Sequence, residues 1–284
     1  MIADKDTNIV FLAKKLKEEQ PDVFYRLTTL LDKLSIDWDL LKYTKAYWAR
    51  DYMPIQVNDN EFLIYRYLPK YLTKDKEYKN TITNPRRTLR ELEIECKETD
   101  VVLDGGNITL CGDYIVMTNK IFAENDCKEN DFYLLEKIQK VFDCEIIIIP
   151  WHCDNRDDEN ADVYGHSDGL IRWCYGKKVL ISNHREAEPE EAEEIKRRLE
   201  ERGFEVTEML FNVPNPEPDW NWAYINYLQV GNKIIIPSFG IDEDKQALNY
   251  VKEANPDCEI SMFRMRDIAA GGGALHCITW NIKR

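Results

Sequence analysis

The sequence has few residues of the kinds that mark disorder, disulfide frameworks or membrane insertion. Only 12 glycines and 11 prolines occur among 284 residues, which excludes collagen-like repeats and wholesale disorder. Eight cysteines are scattered without a C-x-x-C pair, so we expect reduced thiols. The longest apolar run, 146–151, is far shorter than the ~20 residues of a membrane span, and no export signal is visible. We therefore expect a cytoplasmic protein without a membrane partner.

Basic residues are also in short supply. Lysine and arginine number 38 against 52 aspartates and glutamates, which leaves a formal net charge of −14. Such an acidic chain repels phosphate backbones, so nucleic acid is excluded as the expected partner and a small cationic substrate is favoured. Hydrophobic residues make up 44% of the chain, enough for a sizeable core. No linker or low-complexity segment interrupts the chain, and we expect one domain over residues 1–284.

A strand–helix–strand pattern recurs five times along the chain. The units are predicted near 8–60, 61–113, 114–177, 178–232 and 233–284. Their helices are predicted at 18–34, 86–96, 131–142, 189–202 and 243–254, each between two short apolar runs. In every unit, further residues follow the second apolar run before the next unit begins, which the short connections of a doubly wound sheet do not require. We therefore expect an α/β fold in the form of a five-bladed propeller, with a doubly wound sheet as the alternative.

Polar residues occupy the same place in all five units, directly after the second strand. The five segments are 48–54, 103–107, 165–169, 222–227 and 271–277. Equivalent positions of a cyclic repeat lie at equivalent distances from its axis. If these segments face the axis, a central pocket contains Asp51, Asp104, His166, Asp168, Asn226 and Cys277.

One cysteine, one histidine and several carboxylates are suited to thiolate attack on a cationic electrophile. A free thiol is a weak nucleophile at neutral pH, and neighbouring carboxylates raise its pKa further. A positively charged substrate removes this conflict. A planar guanidinium binds carboxylates through paired hydrogen bonds and leaves its central carbon open to the thiolate. The pattern thus indicates chemistry on a guanidino group.

The motifs WARDYMP, DGGN, GHSDG, NYL and GGGALHC occur in this order along the chain. In this the chain resembles the agmatine deiminase and bacterial-type peptidylarginine deiminase family of the pentein superfamily, over essentially its whole length. The resemblance implies a five-fold α/β propeller and a hydrolase that acts on the C–N bonds of linear amidines. It implies no metal and no organic cofactor, and it is compatible with a homodimer.

The resemblance also implies a role for each matched residue. Cys277 matches the nucleophile, and His166 matches the general acid and base. Asp104 and Asp168 match the carboxylates that bind the guanidinium. The two remaining positions are a further substrate-site carboxylate, Asp51, and a site asparagine of less defined role, Asn226.

The substrate implied first is agmatine, which hydrolysis converts to N-carbamoylputrescine and ammonia on a route to putrescine. Free arginine or a C-terminal peptidyl-arginine, giving citrulline, is the alternative, because Arg66 and Lys70 could pair with a substrate carboxylate. An amidinotransferase and a non-catalytic cation-binding propeller are further alternatives. Trp48 and Trp222 are candidate walls of the pocket through cation–π contact.

Two other readings concern histidines. His276 adjoins Cys277, but neighbours in a strand point to opposite faces. We therefore expect His276 to be a structural residue whose ring nitrogens are hydrogen-bonded within the protein. A metal site made of His152, Cys153, Asp154 and His166 lacks the paired ligand spacing of zinc sites. We therefore predict no metal.

Overall fold

The computed structural model describes residues 1–74, 76–152, 162 and 164–284. Their strands form five separate three-stranded sheets. In each sheet a central strand pairs in parallel with the strand beyond a helical connection and antiparallel with a third strand. The protein is therefore of the α/β class, and the alternative of one doubly wound sheet is wrong.

The first two sheets come from the N-terminal third of the chain together with its last strand. Sheet 1 contains β1 (Ile9–Ala13), α1 (Lys14–Glu19), α2 (Pro21–Lys33) and β2 (Asp37–Leu41). The short helix α3 (Ala49–Tyr52) leads to sheet 2, which contains β3 (Ile55–Asn58), β4 (Glu61–Arg66), α4 (Lys70–Thr73), α5 (Lys76–Lys79), α6 (Arg86–Glu91) and β5 (Cys96–Val102).

The other three sheets follow in chain order. Sheet 3 contains β6 (Thr109–Cys111), β7 (Tyr114–Thr118), α7 (Lys120–Glu124), α8 (Phe132–Phe142) and β8 (Glu145–Ile149). Sheet 4 contains β9 (Ile171–Tyr175), β10 (Lys178–Ile181), α9 (Pro189–Glu200) and β11 (Glu205–Glu208). After α10 (Pro218–Asn221), sheet 5 contains β12 (Leu228–Val230), β13 (Lys233–Ser238), α11 (Glu243–Ala254) and β14 (Glu259–Arg264). Finally α12 (Arg266–Ala269) precedes β15 (Thr279–Ile282), which pairs antiparallel with β1 and completes sheet 1.

Local sequence explains where the main helices begin and which face they bury. Helix α2 has Pro21 in its first turn, where no backbone N–H is needed, and it buries Leu27 and Leu31 on one face. Helix α8 begins where the Asp131 carboxylate accepts a hydrogen bond of 2.9 Å from the backbone N–H of Leu134. None of the helices in the described ranges is long and apolar enough to cross a membrane.

Each predicted unit contains one parallel strand pair with its helical connection. The predicted bounds differ most at 86–96, where α6 ends at Glu91 and Cys96 already begins β5, so the predicted helix is too long. The third strands β3, β6, β9, β12 and β15 were not predicted, because runs of three to five residues carry too little periodicity. These strands lie in the further residues that follow the second apolar run of each unit. Each polar connection is therefore held at both ends by paired strands.

Candidate active site

Each of the six residues expected in the pocket lies in a connection that leads to the third strand of a sheet. Their positions are Asp51 in α3, Asp104 after β5, His166 and Asp168 at the 3-10 turn Ser167–Gly169, Asn226 after the 3-10 turn Trp222–Ile225, and Cys277 before β15. Five of them are buried, and 9% of the His166 side chain is exposed. Hydrogen bonds and ion pairs join them into two adjoining clusters.

The first cluster holds His166 between two carboxylates. Its Nε2 lies 2.8 Å from Asp104 Oδ2, and its Nδ1 lies 3.7 Å from Asp51 Oδ1. Burial lowers the pKa of His166, but the charges of Asp104 and Asp51 outweigh burial and raise it to about 9. Burial, together with Asp104 and Asp168, raises the pKa of Asp51 to about 8 against the opposing charge of His166. At neutral pH the imidazole is therefore a cation, and Asp51 carries its proton.

Two residues that the sequence patterns did not indicate complete this cluster. Lys120 Nζ and the Tyr71 hydroxyl each lie 3.3 Å from Asp104 Oδ2, and Lys120 Nζ also lies 4.6 Å from the centre of the Tyr71 ring. Burial raises the pKa of Asp104, but His166 and Lys120 outweigh burial and lower it. Lys120 follows β7 and Tyr71 follows β4, so the first parallel strands of their sheets also end at the site. In the sequence, the signal that could have identified Lys120 as a site residue was its place as a single lysine directly after an apolar strand.

The second cluster surrounds Cys277. Its Sγ lies 3.6 Å from Asp168 Oδ2, and its backbone N–H donates to Asn226 Oδ1 at 3.2 Å. The Asn226 amide in turn donates to the backbone carbonyl of Asp168 at 3.2 Å. Asn226 thus ties together the two segments that carry the thiol and the carboxylate. Burial, with the charges of Asp168 and Asp51, holds the pKa of the Cys277 thiol well above its ordinary value.

His276 is buried and hydrogen-bonded, but the prediction that it points away from Cys277 through strand alternation is wrong. Residues 275–278 form a turn, and β15 begins only at Thr279, so strand alternation does not apply. His276 and Cys277 therefore both reach the same carboxylate. His276 Nδ1 lies 2.6 Å from Asp168 Oδ2.

Three carboxylate oxygens of these clusters lack a hydrogen-bond partner among the described residues. They are Asp51 Oδ1, Asp104 Oδ1 and Asp168 Oδ1, and all three are buried. A buried acceptor without a partner costs about 1–3 kcal/mol, and more when it is charged. A small cation with several N–H donors would satisfy these oxygens. The arrangement can therefore bind a guanidinium beside a cysteine thiol.

The three other residues selected from the sequence have different positions. Trp48 lies beside the thiol, since a Cβ placed on Gly273 would meet Trp48 Cζ3 at 2.4 Å and Cys277 Cβ at 3.1 Å. Trp222 lies next to the Asp168 turn, where its Cζ3 would be 3.8 Å from a Cβ on Gly169. Both indoles are half-buried, as a pocket wall requires.

Arg66 is not brought into either cluster. It is exposed at the end of β4, while its neighbour Tyr65 is buried and donates its hydroxyl proton to the Asp51 backbone carbonyl at 2.5 Å. The alternation of side chains along a strand explains why the two residues face opposite ways. Lys70 is also exposed and pairs with Asp126 at 2.5 Å. The expected contact of Arg66 with the substrate is therefore not supported by its position.

A metal ion fits the first cluster poorly. Asp51, Asp104 and His166 are the one group in the described part of the chain whose ligand atoms lie within 4.8 Å of one another. Asp104 Oδ2 is already paired with Lys120 Nζ at 3.3 Å and with His166 Nε2 at 2.8 Å, so it is not available as a metal ligand. A histidine ligand must also be neutral, whereas the pKa of His166 is raised to about 9.

The described residues do not form the other candidate metal site, the one that includes His152 and His166. His152 pairs with Glu191, and 59% of the His152 side chain is exposed. Cys153 and Asp154 lie outside the described residues.

Comparisons with known proteins identify the family of the chain. The family model for the Porphyromonas-type peptidyl-arginine deiminase matches residues 5–282. The agmatine deiminase of Pseudomonas putida is 25% identical over 209 residues, and that of Pseudomonas fluorescens is 26% identical over 223 residues. These matches cover 63% and 66% of this chain, and 56% and 60% of the relatives. Among the curated relatives, the matched part ranges from 19% of the length in Streptococcus mutans to 61% in Mycoplasma mycoides.

Solved structures show the same fold. A C. jejuni agmatine deiminase with substrate bound superimposes with a TM-score of 0.77 at 17% identity, covering 100% of this chain and 96% of that chain. The DDAH of Pseudomonas aeruginosa, complexed with citrulline, has a TM-score of 0.60 at 10% identity and covers 97% of this chain and 99% of its own.

Proposed function

The chain belongs to the Porphyromonas-type peptidyl-arginine deiminase family, and we propose that it hydrolyses agmatine to N-carbamoylputrescine and ammonia. The observation that carries the proposal is the set of three buried carboxylate oxygens without partners beside the Cys277 thiol. Carboxylates are complementary in charge to a guanidinium, whose five N–H groups can donate to all three oxygens. The curated relatives named above are agmatine deiminases.

In the first half of the reaction, the bound guanidinium brings the positive charge that lowers the thiol pKa. The Cys277 thiol releases its proton to solvent, and the resulting thiolate attacks the guanidinium carbon and forms a tetrahedral adduct. The protonated His166 donates its proton to one amino group, which leaves as ammonia. An alkyl-thiouronium remains bound to the sulfur of Cys277.

In the second half, the neutral His166 accepts a proton from water as the water oxygen attacks the same carbon. The carbon–sulfur bond then breaks, which releases the ureido product and restores the thiol. One water is consumed and one ammonia is released in each cycle. Neither half requires a metal or an organic cofactor.

We propose agmatine as the substrate in preference to arginine, because agmatine has no carboxylate for the protein to neutralise. Arg66 and Lys70, the residues considered for a carboxylate, are both exposed and outside the clusters. Lys120 is buried and already paired with Asp104 and Glu124. Free or peptidyl-arginine remains the second candidate, because the matching family is named for peptidyl-arginine.

We further propose that the five sheets form one domain, a five-bladed propeller with the site at its axis. Two observations support this arrangement. The last strand β15 pairs with the first strand β1, so sheet 1 joins both ends of the chain. Segments from all five repeats contribute residues to the two site clusters.

The proposal is tested by incubating the protein separately with agmatine, free arginine and a peptide ending in arginine. Ammonia and ureido product are measured together, with and without EDTA and with and without an acceptor amine. We expect equimolar products from agmatine in every condition. An amidino group transferred to the amine would indicate an amidinotransferase, loss of activity with EDTA would indicate a metal enzyme, and no turnover of any substrate would contradict the proposal.

The affinity for agmatine is expected to rise with pH below about 8. The pKa of Asp51 is raised to about 8, so the carboxyl is protonated at neutral pH and must ionise to bind a guanidinium. The value of 1/KM should therefore rise about tenfold per pH unit below that pKa and level off above it. KM measured between pH 6 and 9 checks this. Asp51→Asn should bind more weakly and lose the slope. An unchanged slope in that variant would show that another group titrates.

Gly106→Ala is expected to lower kcat/KM roughly 100-fold, as misplaced catalytic groups do. A Cβ at this position would lie 2.4 Å from His166 Nδ1 and 3.0 Å from Asp51 Oδ1, so the imidazole must move. Gly169→Ala is the matched control, because a Cβ there meets nothing closer than 3.8 Å. Steady-state kinetics and thermal unfolding of both variants separate loss of function from loss of fold. Equal activities would show that His166 tolerates displacement.

A further inference from the structure

His276 is buried between two carboxylates that belong to different parts of the fold. Its Nδ1 lies 2.6 Å from Asp168 Oδ2, and its Nε2 lies 3.7 Å from Asp4 Oδ2. Asp4 is itself paired with Arg172 at 2.5 Å and accepts a hydrogen bond of 2.8 Å from Asn281. The imidazole therefore stands between the reaction centre and a cavity of about 70 Å³ that the N-terminal segment lines.

The two oxygens of Asp168 have different surroundings. Oδ2 lies 2.6 Å from His276 Nδ1 and 3.6 Å from Cys277 Sγ. Oδ1 has no partner in the described part of the chain. A carboxylate rotates easily about its last bond, so an unrestrained Asp168 could turn its plane until neither oxygen faces the guanidinium. The hydrogen bond from His276 removes that freedom.

We propose that His276 is a positioning residue of the deiminase site: its Nδ1–H holds Asp168 Oδ2, so that Asp168 Oδ1 stays directed at the guanidinium. This role rests on the proposed function. His276 forms no bond with the substrate and takes no part in proton transfer. It acts only through Asp168.

The charge state of His276 agrees with this role. Burial and the charge of Arg50 lower the pKa of His276 to about 4, so the ring is neutral at neutral pH and has one N–H to donate. An ionised Asp168 requires that N–H to be on Nδ1. Burial raises the pKa of Asp168, but the hydrogen bond from His276 and the charges of His166 and Arg50 outweigh burial and lower it. The ionisable groups that face either side chain are Arg50, Arg172, Asp4, Asp51, His166 and Cys277.

The test compares three substitutions at this position. His276→Asn places an amide N–H close to where Nδ1 stood, His276→Gln places its amide nearer to Nε2, and His276→Ala has no donor. We expect kcat/KM for agmatine to fall roughly 10- to 100-fold in the Ala and Gln variants, the loss typical of a hydrogen bond to a charged group. The Asn variant should retain most of the activity. Most of the loss should appear as a raised KM, because the guanidinium is bound less well.

A pH profile separates positioning from a structural role. On acidification, 1/KM should fall first as Asp51 is protonated and then more steeply as Asp168 is protonated as well. Loss of the hydrogen bond raises the pKa of Asp168, so this second fall should begin roughly one to two pH units higher in the Gln and Ala variants. The Asn variant should follow the wild type. Equal losses in the Asn and Gln variants, or profiles that do not move, would overturn the proposal.

The proposal about His276 and the proposed function fail differently. A second readout measures how far agmatine slows the alkylation of Cys277 by iodoacetamide, which needs binding but no turnover. A wild type that is protected by agmatine but forms no product contradicts the deiminase function alone. If protection is the same in the wild type and in the Gln variant, the role of His276 is contradicted. Thermal unfolding of the Asn and Gln variants identifies any loss of fold.

Discussion

Cys277→Ala is expected to lower the rate of agmatine hydrolysis by at least about 10⁴-fold, because the covalent intermediate forms on the sulfur that this change removes. Cys277 is the cysteine whose sulfur lies 3.6 Å from Asp168 Oδ2, next to the carboxylate oxygens without partners. Removing the sulfur leaves those oxygens in place. The variant should therefore still bind agmatine, which isothermal titration calorimetry can measure.

Cys111→Ala is the matched control for this variant. Cys111 is also a buried free thiol, but it lies in a hydrophobic cluster with Val116 and Ile171. Its replacement should cost some stability and leave kcat unchanged. Mass spectrometry of rapidly acidified wild-type protein with agmatine should show an adduct on the peptide that contains Cys277. Turnover that survives in Cys277→Ala would exclude the covalent mechanism.

His166→Gln is expected to lower kcat by about 10²- to 10⁴-fold, the range of general acid–base catalysis. Glutamine can still donate a hydrogen bond towards Asp104 but cannot transfer a proton. In the wild type the pKa of His166 is raised to about 9, chiefly by Asp104 against the effect of burial, so the proton is available at neutral pH. Its loss slows the departure of ammonia and the activation of water alike.

An S-alkyl isothiourea analogue of agmatine distinguishes these two steps. Its thiol leaves with little help from an acid, so His166→Gln should lose less in the first half of that reaction. Burst-phase kinetics measure the release of thiol separately from the ureido product. His184→Gln serves as the control, because His184 pairs with Glu191 outside the two site clusters. Equal losses with agmatine and the analogue would show that His166 does not protonate the leaving group.

Most helices and parallel strands could be predicted from local pattern alone. Helix α11 is found at Glu243–Ala254 as predicted, and strand β8 is found at Glu145–Ile149, in the apolar run that follows the helix predicted at 131–142. Each has a strong local signal, a helical stripe in one and a run of four isoleucines in the other. Cys96 was misassigned to a helix because a weak helical pattern around it competes with its parallel pairing to Phe62 in sheet 2.

The short third strands could not be predicted in this way. Strand β12 spans only Leu228–Val230, and it is defined by its antiparallel pairing with β13. Strand β15 pairs with β1, which lies at the other end of the chain. Such strands exist because a distant partner supplies their hydrogen bonds, and that partner is not visible in a local window.

The sequence by itself determined the α/β class, the five recurring units and the six polar residues that the structure joins into two clusters. These follow from local periodicity and from motifs that occupy the same place in every unit. Only the tertiary structure decided that Lys120 and Tyr71 contact Asp104, that Arg66 faces solvent, and that His276 and Cys277 share Asp168. The reason is physical. Side-chain direction near a site depends on where a strand ends and a turn begins, and that point is set by pairing between segments far apart in the chain.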